Sequence, residues 1–269
     1  AEPRSAERAT MVCRPDWWSP SGVISAADGS RIADRLWLIF ACLLLAGCAA
    51  LPQPRIEPVA ITQPEDFPTA FYQRLPDREV YQVGETSLVL KTYRAGWLKG
   101  LAHAHVMTTD TLTGLIHVDP QGSASRADLY FRPYDLVLDD PAMRAAAGEE
   151  FASSRSPEDI AATRLRMLGP RQLDSNNHPF IQIRVLPAAS ANEVRLEISV
   201  KDYVTTKPVP VSWQLREGRL QLTSEFQLRH RELGLQRYSA FAGALAVAEE
   251  VDVTLTLTAA QRDPSTTGL

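Results

Sequence analysis

Apolar and polar residues alternate with period two over much of this chain. In the stretch 193–200, Val194, Leu196, Ile198 and Val200 share one face, and Glu193, Arg195, Glu197 and Ser199 the other. The stretch 218–228 sets Leu220, Leu222, Phe226 and Leu228 against Gln221, Thr223, Glu225 and Gln227. The segments 251–258 and 180–185 repeat the scheme with Val251, Val253, Leu255 and Leu257, and with Ile181, Ile183 and Val185. Weaker versions predict strands over 79–83, 86–95, 104–118, 124–138 and 204–216, with Glu217-Gly218 as a hairpin turn. One helix is marked over 157–168: Ser156 suits the N-cap, Pro157 the first position, Glu158 and Asp159 the positive end, and Gly169-Pro170 the stop. A poorer helix is expected within 140–152, and 237–246 reads as either a small-residue loop or a short helix.

Strands buried on both faces read as continuous apolar runs; these have one wet face each. With one good helix to cover them, the sheet is expected to close on itself. The expected fold class is mainly β, an antiparallel eight-stranded barrel with one or two short helices. At about eight strands such a barrel is just wide enough to hold one small ligand or to fill with side chains. A two-sheet sandwich would bury the same faces and is the alternative.

A second pattern breaks the first. Leu36 to Leu45 is almost unbroken apolar sequence, preceded by Arg31 and Arg35 and closed by Ala46-Gly47. It is half the length a bilayer-spanning helix needs, roughly 20 residues, and its flanks are those of a secretory signal. Leu45-Ala46-Gly47-Cys48 resembles the lipobox of bacterial lipoproteins. That resemblance implies cleavage before Cys48 and acylation of Cys48. The bland alternative is a buried helix that ends in a cysteine. Three regions follow: 1–47 as an upstream segment and lipoprotein signal peptide, 48–66 as a tether rich in proline (Pro52, Pro54, Pro58, Pro64), and 67–269 as the folded domain. The expected location is the bacterial envelope on its periplasmic side. Ala49, where an aspartate would retain enterobacterial lipoproteins at the inner membrane, favours the outer one.

The net charge is −4. Residues 1–47 contribute equal numbers of acids and bases, so the body is as mildly acidic as the whole and lacks the basic footprint of a nucleic-acid partner. Cys13, Cys42 and Cys48 are the only cysteines. A body without cysteine has no disulfide, no thiolate nucleophile and no cysteine-ligated metal.

Three stretches taken together resemble the YceI-like family of lipocalin-like, polyisoprenoid-binding proteins of bacterial envelopes. They are LVLKTYRAGWLKGLAHAHVMTTDTLTGLIHVD (88–119), RLRMLGPRQLDSNNHPFIQIRV (164–185), with Asp174, Pro179 and Phe180 at the family's acid, proline and aromatic places, and LTSEFQLRHRELGL with AEEVDVTLTLT (222–258). Ala102 and Ala104 replace the glycine and asparagine of the family's histidine segment, and the paired aromatics after its helix are absent here, where Arg171-Gln172-Leu173 stands. The resemblance implies a barrel whose interior takes an isoprenoid or other lipid chain, and no chemistry.

His103 and His105 share a face if their segment is extended. They could hold a turn, meet a ligand's head group or bind a metal, although a zinc site needs three or four ligands. Tyr93, Tyr130, Phe131, Tyr134, Trp213 and Phe226 are candidate cavity-lining aromatics, each with ordinary core packing as the bland alternative. Arg132, Arg184 and Lys201 lie on polar faces, with solvent as the expected partner. No G-x-S-x-G, H-E-x-x-H, P-loop or dinucleotide fingerprint occurs. Three functional readings follow: a membrane-tethered lipid carrier with no cofactor, a metal- or redox-linked protein using His103 and His105, and a hydrolase with a dispersed triad.

Overall fold

The computed structural model describes residues 79–119, 125–190 and 192–262. Residues 1–78, including the apolar run at 36–45 and Cys48, lie outside them, as does the start of the expected domain at 67.

The described chain is an antiparallel β-structure with two short helices. Its strands are β1 (Val80–Ala95), β2 (His105–Thr109), β3 (Thr113–His117), β4 (Arg126–Phe131), β5 (Val137–Leu138), β6 (Ile181–Ser190), β7 (Glu193–Val200), β8 (Tyr203–Pro210), β9 (Ser212–Arg216), β10 (Arg219–Arg229), β11 (Ser239–Ala240) and β12 (Leu245–Gln261). They form one sheet in the order β8-β7-β6-β4-β3-β1-β12-β10-β9, with β2, β5 and β11 attached as short side pieces. A single sheet rules out the sandwich.

The sheet curls because one segment serves both its ends. The predicted strand 204–216 is broken at Val211: β8 pairs with β7, and β9, its direct continuation, pairs with β10. The Ser224 hydroxyl of β10 donates to the Pro210 carbonyl at 2.6 Å and ties the corner in place. With β8 and β9 taken as one bent strand, the circuit has the expected eight members.

The predicted strands 79–83 and 86–95 are one strand, β1. Its pairing with β12 shifts between Val83 and Thr86, where an extra residue bulges out. The bulge changes which parity faces inward, from Tyr81 and Val83 before it to Leu88 after it, all three buried. The predicted strand 104–118 also divides: β2 lies along the second half of β1 and β3 along the first. The β9–β10 turn is as expected, with Glu217 and Gly218 at φ 50° and 72°, the doubly left-handed pair that matches strand twist in a two-residue hairpin.

Helix α1 (Pro141–Ala147) is capped by Asp140, whose carboxylate accepts from the Ala142 and Met143 amides at 2.9 and 3.0 Å. Helix α2 (Pro157–Leu168) starts as the sequence predicts, the Ser156 hydroxyl accepting from Asp159 N at 3.0 Å. Ser156→Ala is expected to cost about 1 kcal/mol, read as a lowered midpoint in urea with unchanged slope. The ambiguous segment 237–246 holds β11, a 3-10 turn over Phe241–Gly243 and the start of β12. Among the described residues no helix is long and apolar enough to cross a membrane.

Candidate functional site

Alternation along the curled sheet sends one set of side chains into a common interior. Leu88, Leu129, Ile198, Val253 and Leu257 are all at least nine-tenths buried there. The interior is not filled. A cavity of about 170 Å³ runs among Leu90, Phe131, Ile183, Trp213, Phe226 and Leu255. Its wall is apolar except at Ser125, Arg126 and Ser224. The Ser224 hydroxyl is engaged by Pro210, and Arg126 belongs by parity to the outward row of β4 with Tyr130. An apolar ligand entering this space would lose its water without stranding a polar wall.

Of the predicted lining residues, the structure brings Phe131, Trp213 and Phe226 to the cavity. Tyr93 and Tyr130 do not line it, because each sits one residue out of phase with the inward set. Tyr93 stands on the outer face of β1, edge-on to Phe151 with ring centroids 5.5 Å apart, and donates its hydroxyl to Asp252 Oδ2 at 2.5 Å. Burial and that carboxylate push its pKa up to about 12. Tyr130 meets Phe180 edge-on on the outer side of β4. Tyr134 lies in a 3-10 turn under the Arg164 guanidinium, 5.0 Å away. Arg132 pairs with Asp135, and Arg184 with Asp128 and Glu197. Lys201 forms part of the β7–β8 turn at φ 56°.

The histidines also lie away from the cavity. His103 is exposed in the segment before β2, and its pKa is lowered by loss of solvent, by Arg155 and by His105. His105 opens β2 and meets Asp139 Oδ2 through Nδ1 at 2.6 Å. Asp139 is 2% exposed and takes two further donors on Oδ1, Val106 N at 3.0 Å and Arg144 Nη1 at 2.5 Å. Arg144, from α1, also donates to the carbonyls of Ala104 and Ser153. Burial alone would raise the Asp139 pKa; the donors from His105, Val106 and Arg144 outweigh it and hold it below the usual carboxylate value. These side chains clamp α1 and the residues after β5 against β2. Among the described residues no three His, Cys, Asp or Glu side chains are grouped to hold a metal. The sequence carries little local signal of this clamp. Asp139-Asp140-Pro141 marks a helix start, but nothing local says that Asp139 turns inward or that Arg144 is buried with it.

No protein-family model matches the chain, and no curated protein does. Solved structures do. BcnA of Burkholderia cenocepacia is similar with 12% identity and a TM-score of 0.46, over 64% of this chain and 95% of that one. A polyisoprenoid binding domain from Saccharophagus degradans, implicated in plant cell wall breakdown, has 11% identity and a TM-score of 0.43, over 68% and 98%. The structural neighbours of this chain thus include a polyisoprenoid binding domain and, with 4% identity, a TM-score of 0.42 and coverage of 58% and 85%, the YceI protein of Campylobacter jejuni.

Proposed function

We propose that this is a YceI-like binding protein of the bacterial envelope that carries an isoprenoid or other lipid chain in its barrel, and that an acylated Cys48 tethers it to the membrane, the outer one in preference to the inner. The apolar cavity carries the reading. Its about 170 Å³ compares with the ~150 Å³ of an engineered apolar cavity that stays dry and takes up benzene. That is room for a ring or a short run of a chain. A longer ligand extends beyond the space now open, or spreads the half-buried side chains Ile183, Leu222 and Leu255 that border it. Each Å² of apolar surface removed from water contributes roughly 25 cal/mol, so affinity follows the length of chain enclosed and requires no reacting group. Neither His103 nor His105 borders this cavity, and His105 is bonded to Asp139.

Organic extraction of the purified full chain, followed by mass spectrometry, is expected to release a lipid, and the delipidated protein is expected to take up a fluorescent isoprenoid. Failure of both would overturn the carrier. The tether is tested separately. Labelled palmitate is expected in the wild-type chain and not in Cys48→Ser, and equal labelling of the two removes Cys48 from the proposal.

A further inference from the structure

Three large apolar side chains project from one end of the domain: Trp97, Leu101 and Phe241 are 80%, 68% and 72% exposed. They come from two loops, one after β1 and one before β12, past the Ala95–Ala246 pair at the end of that ladder. The loops are joined backbone to backbone. Leu98 N donates across to the Ala244 carbonyl at 2.9 Å, and within the first loop Lys99 N donates to the Gly96 carbonyl at 3.2 Å. At Gly96, with φ 89°, a Cβ would lie 2.3 Å from Ala244 O and 2.6 Å from Gly243 O, so only glycine permits the contact. Phe241 and Ala242 hold left-handed φ values of 49° and 53°, a costly conformation for residues with a side chain. Phe241 gains little packing within the protein in return.

Charge and area indicate what the tip meets. Lys99 lies between Trp97 and Leu101 in the chain, is exposed, and makes no ion pair among the described residues. Beyond the loops, Glu150 pairs with Arg94, and Glu249 with Arg237 and the Arg231 amide. Lys99 is the one charged side chain in 96–102 and 239–245, so the charge carried by the two loops is positive. Aromatic side chains bury roughly 150–250 Å² each, so Trp97 and Phe241 together with the smaller Leu101 offer on the order of 500 Å², short of the ~800 Å² per partner of a stable protein interface. Separate protruding side chains suit a medium that closes around each of them. Tryptophan is at home at the head-group level of a bilayer, and a lysine beside it reaches lipid phosphate.

We propose that this tip is a membrane-contact surface: Trp97, Leu101 and Phe241 enter the head-group and acyl boundary of a phospholipid bilayer, and Lys99 meets anionic head groups. The contact is independent of the cavity's ligand and of Cys48.

Hydrogen exchange of the full chain tests it, because the readout is local and is not confused by residues 36–48. With vesicles of phosphatidylcholine and phosphatidylglycerol, peptides covering 96–102 and 240–244 are expected to exchange roughly tenfold more slowly. Phe241→Ser is expected to remove most of the protection at 96–102, and Lys99→Glu to abolish the advantage of the anionic vesicles over phosphatidylcholine alone. Unchanged exchange at both peptides while the chain sediments with vesicles would overturn the proposal. So would equal protection in Phe241→Ser, or protection that appears without lipid as protein concentration rises, which would assign the tip to a second copy of the chain.

Discussion

Asp139→Ala is expected to lower the free energy of unfolding by about 3–5 kcal/mol, the usual result of removing one member of a buried ion pair. Three donors converge on this carboxylate, from His105, Val106 N and Arg144. Truncation leaves the Arg144 guanidinium, itself 4% exposed, with its charge uncompensated. Alanine must also adopt the φ of 55° found at position 139, a conformation that aspartate and asparagine tolerate better. Asp139→Asn separates the effects: it keeps the shape and two acceptor lone pairs and loses the charge, so it should fall between wild type and alanine. The pH dependence has a definite sign. The folded-state pKa of Asp139 is lowered, so its contribution is complete above the unfolded value of about 3.9 and is lost as pH falls through the lower folded value. The gap between wild type and Asp139→Asn in guanidinium melts should therefore be full at pH 7 and narrow below about pH 4. A gap under about 1 kcal/mol at pH 7 would mean that α1 does not seal Asp139 from water.

Most of the sheet was legible because a one-residue slip exchanges the two faces of a strand, so the pattern in 193–200, 218–228 and 251–258 specifies both the element and its inward side. The turn at Glu217-Gly218 and the cap at Ser156 were legible for local reasons. Features set by long-range pairing were not. The bulge after Val83 reverses parity within β1, and alternation alone divides that strand in two. The bend at Val211 depends on β10 lying across the corner, some ten residues further along the chain. Parity also explains the mixed result for the aromatics. Tyr130 and Phe131 are neighbours on one strand, so only one can face inward, and the inward row already contains Leu129. Tyr93 is likewise out of step with Leu88 and Leu90. The Asp139–Arg144 clamp left no trace because neither residue type is ordinarily buried, and each is buried only because the other is.

Filling the cavity should weaken ligand binding sharply with little damage to the fold. Ile183 is half-buried, borders the cavity, and lies between Leu129 and Ile198 on the neighbouring strands. Ile183→Trp places a bicyclic ring in space that is now empty, so overpacking is expected to cost only about 1–3 kcal/mol, with the far-ultraviolet circular dichroism unchanged. Excluding two or three CH2 groups of a bound chain, at about 0.8 kcal/mol each, amounts to roughly 2 kcal/mol, which raises Kd some thirtyfold for a fluorescent isoprenoid. Gln182→Trp adds the same ring one residue earlier, on the outward row where Gln182 pairs with Tyr130 and Ser199, and should leave Kd within about twofold of wild type. The contrast between neighbouring positions separates displacement of ligand from general loosening of the sheet, because both variants carry the same new side chain on the same strand. If Ile183→Trp binds as wild type does, the chain is held somewhere other than the apolar interior, and if Gln182→Trp weakens binding equally, the outer face of β6 takes part.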